Sequence, residues 1–192
     1  MPVERTAVAD VLVVRWPVLD DARGFLRQTH QLPELVEALG REPGFVQGNH
    51  ARSHPGVLRG FHAEPWDKLV QVVAGTALAC VADVRTESPS YGTVVDLVLG
   101  DPPGERAAVF VPEGVANAYR VLGDRPCDYH YLVSACWTPD APRTVVAWDD
   151  PGLAAPWDLA APPLLSATDA AAPRLRELHP DHPRWTGTGG AA

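Results

Sequence analysis

The chain has 192 residues, 46% of them hydrophobic and 21% charged, which suits one folded domain and excludes wholesale disorder. Sixteen basic against twenty-four acidic side chains give a formal net charge of −8. That excludes a broadly cationic nucleic-acid-binding face but leaves room for a local basic pocket.

The N-terminal stretch mixes acids into a short apolar run and lacks the order of a secretory signal. No run reaches the ~18 apolar residues of a membrane span. A cytoplasmic protein with neither membrane nor nucleic acid as partner is expected. Residues 8–16 (VADVLVVRW) read as a strand, followed by a turn and a second extended stretch at DARGF, 21–25. Residues 32–40 (LPELVEALG) predict a helix with Leu32, Leu35, Val36 and Leu39 on one face and Gly40 as its stop.

From 45 to 137 the pattern changes to short β runs cut by Gly and Pro: FVQGN, VLRGFH, KLVQVVAG, ALACVADVR, TVVDLVLG, AAVFVPEG, ANAYRVLG and DYHYLVSACW. Runs of this length with turn chemistry between them indicate an antiparallel barrel or jelly roll. Parallel βαβ units would need helices for which there is no room. After Trp148 a Pro- and Ala-rich wrap leads to one short helix near 170–178. Residues 1–180 read as a single domain, with 181–192 as a loose tail.

Three cysteines, Cys80, Cys127 and Cys136, form no C-x-x-C pair and argue against a disulfide framework or a cysteine zinc site. His62 closes the VLRGFH run, with Arg59 three residues before it and Lys68 opening the next strand. A lone His is commonly a hydrogen-bonded structural residue, yet two cations and a base converging on one barrel mouth call for an anion. Metal-binding cupins use G-x5-H-x-H and P-x-G-x-x-H. Here Glu64 stands at the second His position of the first motif and Asn117 at the His of the second. One imidazole, one carboxylate and one amide make a poor transition-metal set, so the spacing indicates a cupin-type barrel without a metal. Tyr129 and Tyr131 share a strand face opposite His130, and either phenol could serve as an acid if that face is interior. Asp169 could be a helix N-cap, and Asp83 could face the interior beside His62.

Taken together, nine segments in order resemble the dTDP-4-dehydrorhamnose 3,5-epimerases, metal-free cupin-fold enzymes of deoxysugar nucleotide synthesis. They are DARGF (21–25), FVQGNHARS (45–53), GVLRGFH (56–62), KLVQVVAG (68–75), VADVRTESPSYG (81–92), VPEGVANAYRVL (111–122), YHYLVS (129–134), WDDPGL (148–153) and LLSATD (164–169). The resemblance implies a mainly β, cupin-type antiparallel double-stranded β-helix with a few short helices. It implies that His62 is the general base, Asp169 its partner, Tyr131 the acid on the opposite sugar face and Lys68 the enolate-stabilising cation. Arg23, Gln47, Asn49 and Arg59 would bind nucleotide and diphosphate, with Phe25, Gln28 and Asn117 also contacting substrate. It further implies a dTDP-4-keto-6-deoxyhexose substrate, no cofactor, and a homodimer in which DARGF reaches the neighbouring site. Asn117 replaces a family His, implying a changed diphosphate contact; Gln28 stands where Glu is usual; and the AEPWD segment after His62 is short. The G-V-A-N variant with Tyr-x-Val-Ser resembles relatives in antibiotic-sugar pathways, where epimerisation at one centre is an alternative. A 3,4-ketoisomerase and a non-catalytic sugar-nucleotide-binding barrel are the other readings.

Overall fold

The computed structural model describes residues 3–102 and 104–186. In chain order its elements are β1 (Val3–Arg5), β2 (Leu12–Val14), β3 (Val18–Asp21), β4 (Gly24–Arg27), α1 (Leu32–Leu39), β5 (Gln47–Ser53), β6 (Leu58–Ala63), β7 (Lys68–Ala74) and β8 (Thr76–Asp83). They continue with β9 (Val94–Gly100), β10 (Ala108–Val111), β11 (Val115–Val121), β12 (Cys127–Val133), β13 (Thr144–Val145), α2 (Ala167–Ala170), α3 (Leu175–Leu178) and α4 (Pro183–Thr186). A six-stranded sheet, β1-β2-β10-β7-β12-β5, faces a five-stranded one, β13-β6-β11-β8-β9, while β3 and β4 form a separate hairpin. The expected mainly β, cupin-type architecture forms, but its two antiparallel sheets stay open at their edges and do not close into a barrel.

All eight predicted β runs become strands, because each has a partner over its length. FVQGN is displaced: its strand starts at Gln47 and continues to Ser53, paired residue for residue with β12 from Val133 to Cys127. The strand expected over 8–16 shrinks to Leu12–Val14. Val8 and Val11 are buried in a turn closed by Val11 N–H donating to the Val8 carbonyl, and Asp10 adopts φ 67°. Their apolar character reflects burial of that turn, not a strand.

Three apolar layers explain the sequence pattern. Between the sheets lie Val13, Val70, Val72, Ala79, Val109 and Tyr129. Phe61, Leu78, Cys80 and Ala118 face outward from the five-stranded sheet and are covered by the C-terminal wrap, with Trp157 and Leu175. Leu12, Leu69 and Phe110 on the back of the six-stranded sheet meet Leu35 of α1. Strands buried on both faces lose polar alternation, hence the nearly unbroken apolar runs KLVQVVA and TALACVAD.

Helix α1 forms as expected and ends at Gly40 (φ 71°), whose N–H donates to the Val36 carbonyl. Its buried face is narrower than expected, since Leu35 is enclosed while Leu32 is exposed. The single helix expected at 170–178 is two short ones, α2 and α3. Pro173 lies between them and has no N–H with which to continue a helix. Within residues 181–186, expected as the start of a tail, α4 forms over Pro183–Thr186: His182 just before it stacks on Tyr91 at 3.7 Å, and Arg184 donates to the Tyr91 carbonyl. The rest of TGTGGAA, 187–192, lies outside the described residues. No helix among the described residues is long and apolar enough to cross a membrane.

Candidate active site

Arg59 and His62 are three residues apart, so a regular strand would aim them at opposite faces. The pairing of β6 with β11 is not regular. His62 is opposite Asn117 but Arg59 is opposite Tyr119, so three steps on β6 answer two on β11. This bulge turns both side chains to the inner face. Gly60 sits within it at φ +116°, where a Cβ would lie 2.5 Å from the Cβ of Ala118. Only glycine fits that combination of dihedral and close approach.

Arg59 and His62 consequently line one wall of an open cavity of about 250 Å³ between the sheets, with Asn117 and Tyr119 of β11 beside them. The facing wall comes from alternate positions on strands that stay in register from Tyr129 onward: Asn49 and Ala51 of β5, Lys68 and Val70 of β7, Tyr129 and Tyr131 of β12. Trp66, Trp137, Glu64 and Arg143 complete the lining.

Asp169 accepts a hydrogen bond of 2.6 Å from His62 Nε2 and is 3% exposed. It is not the N-cap considered from sequence. Ser166 is the cap, its Oγ accepting from the Asp169 N–H at 3.1 Å, and the Asp169 side chain is thereby left for His62. Burial raises the Asp169 pKa, but the His62 hydrogen bond and charge, together with hydrogen bonds from Ser166 and the Gly60 backbone, outweigh it and hold the carboxyl below its ordinary range. A carboxylate on one imidazole nitrogen fixes the tautomer and supports the imidazolium.

Lys68 opens β7 with its ammonium buried, 3% exposed as a residue. It donates to Asn117 Oδ1 at 2.5 Å and to the His62 carbonyl at 3.2 Å, and forms an ion pair with Glu64. Burial pulls its pKa down, opposed by Glu64. Tyr129 is 2% exposed and stacks on Tyr119 at 4.0 Å, and its phenol is held well above its ordinary pKa by burial and by Tyr119. Tyr131 is partly exposed to the cavity, with its phenol also raised, by burial and then by Glu64. Of the two phenols, Tyr131 is the one a ligand can reach. Arg59 is oriented by Ser53, whose Oγ accepts from its Nε at 3.0 Å and meets Tyr119 OH at 2.9 Å.

His62, Lys68, Tyr131, Asp169, Asn49, Arg59 and Asn117 are thus brought together. Asn117 lies against Lys68 and opposite His62. Gln47 stands at the cavity's edge, donating to Asn49 Oδ1 at 2.7 Å and accepting from the Trp137 N–H at 3.0 Å. Arg23, Phe25 and Gln28 are elsewhere within the single chain. Arg23 is exposed on the β3–β4 turn and pairs with Asp21, Phe25 lies under Arg106 at 4.1 Å, and Gln28 is exposed just beyond β4. Asp83 is not His62's partner: its carboxylate is consumed by Arg85, Ser88 and Ser90. Sequence reasoning missed Tyr119, Trp66, Trp137 and Arg143, and missed Glu64 as the partner of Lys68. Tyr119 carried a signal in its i, i+2 relation to Asn117; the others sit on turns whose course no periodicity reveals.

Among the described residues no group of three or more His, Cys, Asp or Glu could hold a metal ion. Cys80 and Cys127 are buried thiols, each pushed up to about 12 mainly by burial, far from a reactive thiolate.

The family model described as dTDP-4-dehydrorhamnose 3,5-epimerase matches residues 5–177. The enzyme of that name from Salmonella typhimurium is 32% identical over 179 residues, covering 91% of this chain and 96% of its own. A Legionella pneumophila dTDP-6-deoxy-D-glucose-3,5-epimerase, solved in complex with dTDP-4-keto-L-rhamnose, superposes with TM-score 0.85 at 30% identity, covering 94% of this chain and 95% of that one. NovW, a 4-keto-6-deoxy sugar epimerase from the novobiocin cluster of Streptomyces spheroides, gives TM-score 0.86 at 29% identity, covering 97% and 91%.

Proposed function

The chain belongs to the dTDP-4-dehydrorhamnose 3,5-epimerase family, and we propose that it inverts C3, C5 or both of a dTDP-4-keto-6-deoxyhexose through His62, Tyr131 and Lys68. It is an isomerase of deoxysugar biosynthesis acting on a dTDP-sugar. One observation carries the assignment of roles. His62 on one sheet, paired with Asp169 of α2, faces an accessible phenol on the other sheet across a cavity, and a buried ammonium lies on the phenol's side.

The 4-keto group acidifies the C–H bonds beside it. His62 donates its Nε2–H to Asp169, so Nδ1 carries the lone pair that takes the proton. The electrons move onto the carbonyl oxygen as an enolate, and the Lys68 ammonium stabilises that charge without waiting for solvent to reorganise. Tyr131 returns a proton from the opposite face, inverting the centre. His62 is then protonated and Tyr131 ionised, and exchange with water resets both. The reaction is redox-neutral, its proton steps being carried by His62, Tyr131 and water.

Arg59, Gln47, Asn49 and Asn117 complete the proposed substrate contacts within one chain, on a single domain of residues 1–180. Arg23, Phe25 and Gln28 reach a site only from a second copy. The hairpin that carries Arg23 and Phe25 exposes Leu19, Phe25 and Leu26, at 64%, 46% and 69%, apolar area that a homodimer would cover. Three unpaired cysteines fit a cytoplasmic setting.

The test is incubation of purified protein with substrate in D₂O, followed by NMR. Deuterium at both C3 and C5 indicates double epimerisation and at C3 alone a 3-epimerase. A 3-keto product indicates a ketoisomerase. Binding of dTDP with no exchange at either carbon defeats the enzymatic reading.

A further inference from the structure

A lysine ammonium has three N–H donors and no acceptor. In this structure two of Lys68's hydrogen-bond to the His62 carbonyl and Asn117 Oδ1, and the ammonium is ion-paired with the Glu64 carboxylate on its remaining side. The ammonium is enclosed by these three groups, so a substrate oxygen reaches Lys68 by taking the place of one of them.

We propose that Glu64 is a displaceable counter-ion, a positioning residue that holds the Lys68 ammonium in the free enzyme and yields its place to the substrate carbonyl. The inference rests on the reading of Lys68 as the enolate-stabilising cation. The other two acceptors are less mobile, one being β6 backbone and the other a short amide on β11. Glu64 follows the end of β6 and has the rotamer freedom they lack. It also lies on the seam between two cavities: it and Arg143 line both the catalytic cavity and a neighbouring one of about 390 Å³, where Arg85 is also found. The displaced carboxylate thus has space on its far side, with Arg143 on the seam; Glu113 also lines that space, and Arg85 there is already paired with Asp83. Enolate formation reinforces the release, since two anions on one ammonium repel each other. In the free enzyme the same carboxylate offsets the burial that disfavours the ammonium.

The charged and titratable groups around Lys68 are Glu64, the His62–Asp169 pair, Arg59, Arg143, Tyr129 and Tyr131. Tyr131 also feels Glu64, so the experiment is run in a Tyr131→Phe background, following substrate C–H/D exchange across pH. With Glu64→Gln the ammonium loses its anion, and the alkaline limb of kcat/KM, which reports the free enzyme, moves down by roughly 1–3 pH units. The alkaline limb of kcat, which reports the complex after Glu64 has left, stays in place. Glu64→Asp keeps the charge and returns the kcat/KM limb toward its original position, and melting temperatures establish that both variants fold. Equal movement of both limbs overturns displacement, and movement of neither overturns the counter-ion role. Lys68→Ala is the separate check: wild-type exchange in that variant removes the reading of Lys68 itself, whatever the Glu64 variants do.

Discussion

The two sheets contribute to one cavity in different ways. On the six-stranded sheet, Lys68, Tyr129 and Tyr131 project from a stretch of β7 and β12 that stays in register, the one shift in that pair lying between Asp128 and Tyr129, and both strands have neighbours on both sides. On the five-stranded sheet, His62 projects from a bulge near the sheet's edge, flanked by a two-residue strand, and its Asp partner comes from the C-terminal wrap. The regular wall therefore presents groups whose positions follow from strand geometry alone. The bulged wall presents a base whose aim depends on one glycine and on a segment far away in sequence.

The largest effect should come from breaking the chemistry of the bulged wall. His62→Ala is expected to cut substrate deuterium exchange by about 10³-fold or more, within the range of general acid–base contributions. Tyr131→Phe, on the regular wall, should keep exchange within about tenfold yet slow inversion by roughly 10²-fold. Loss of exchange equal to that in His62→Ala would show that the two walls do not divide the proton transfers. Next comes Gly60→Ala, which opposes both the positive φ and the contact with Ala118. A loss of roughly 2–4 kcal/mol is expected, or about 10 °C in melting temperature. An unchanged melt would mean the bulge tolerates a side chain and does not aim His62 rigidly.

The smallest effect, and the most diagnostic for the wrap, is that of Asp169→Asn on stability. Because Asp169 titrates below its ordinary value when folded, its contribution is present above the ordinary carboxylate range. It is lost as pH falls through the folded-state value. The variant should be less stable by roughly 1–3 kcal/mol at neutral pH, and denaturant melts should show that gap closing on acidification. A gap constant with pH would mean the Asp169–His62 bond does not depend on the carboxylate charge.

Much of this was legible in the sequence wherever structure is local. The eight β runs, the helix ending at Gly40, and the pairing of Tyr129 with Tyr131 on one face all follow from periods of two or 3.6 and from turn residues. What was not legible depends on a partner strand or on a course through loops. The bulge at Gly60 exists only relative to β11, so strand alternation could not explain how Arg59 and His62 share a wall. Asp83 was mispaired because Ser88 and Ser90 return to it around a turn. The role of Asp169 was obscured because Ser166, three residues earlier, had taken the cap. Arg23 and Phe25 lie on the β3–β4 hairpin, which does not line this chain's own cavity.

The His62–Asp169 hydrogen bond joins residues 107 positions apart, which makes catalysis a readout of how the chain assembles. Contacts that close long loops carry the greater entropic cost. Asp169 follows β13, the last strand, so every strand of both sheets precedes it in the chain and can pair while the base still lacks its carboxylate. During refolding, spectroscopic signals of β structure should recover ahead of turnover, and enzyme activity becomes the natural stopwatch for the last docking event.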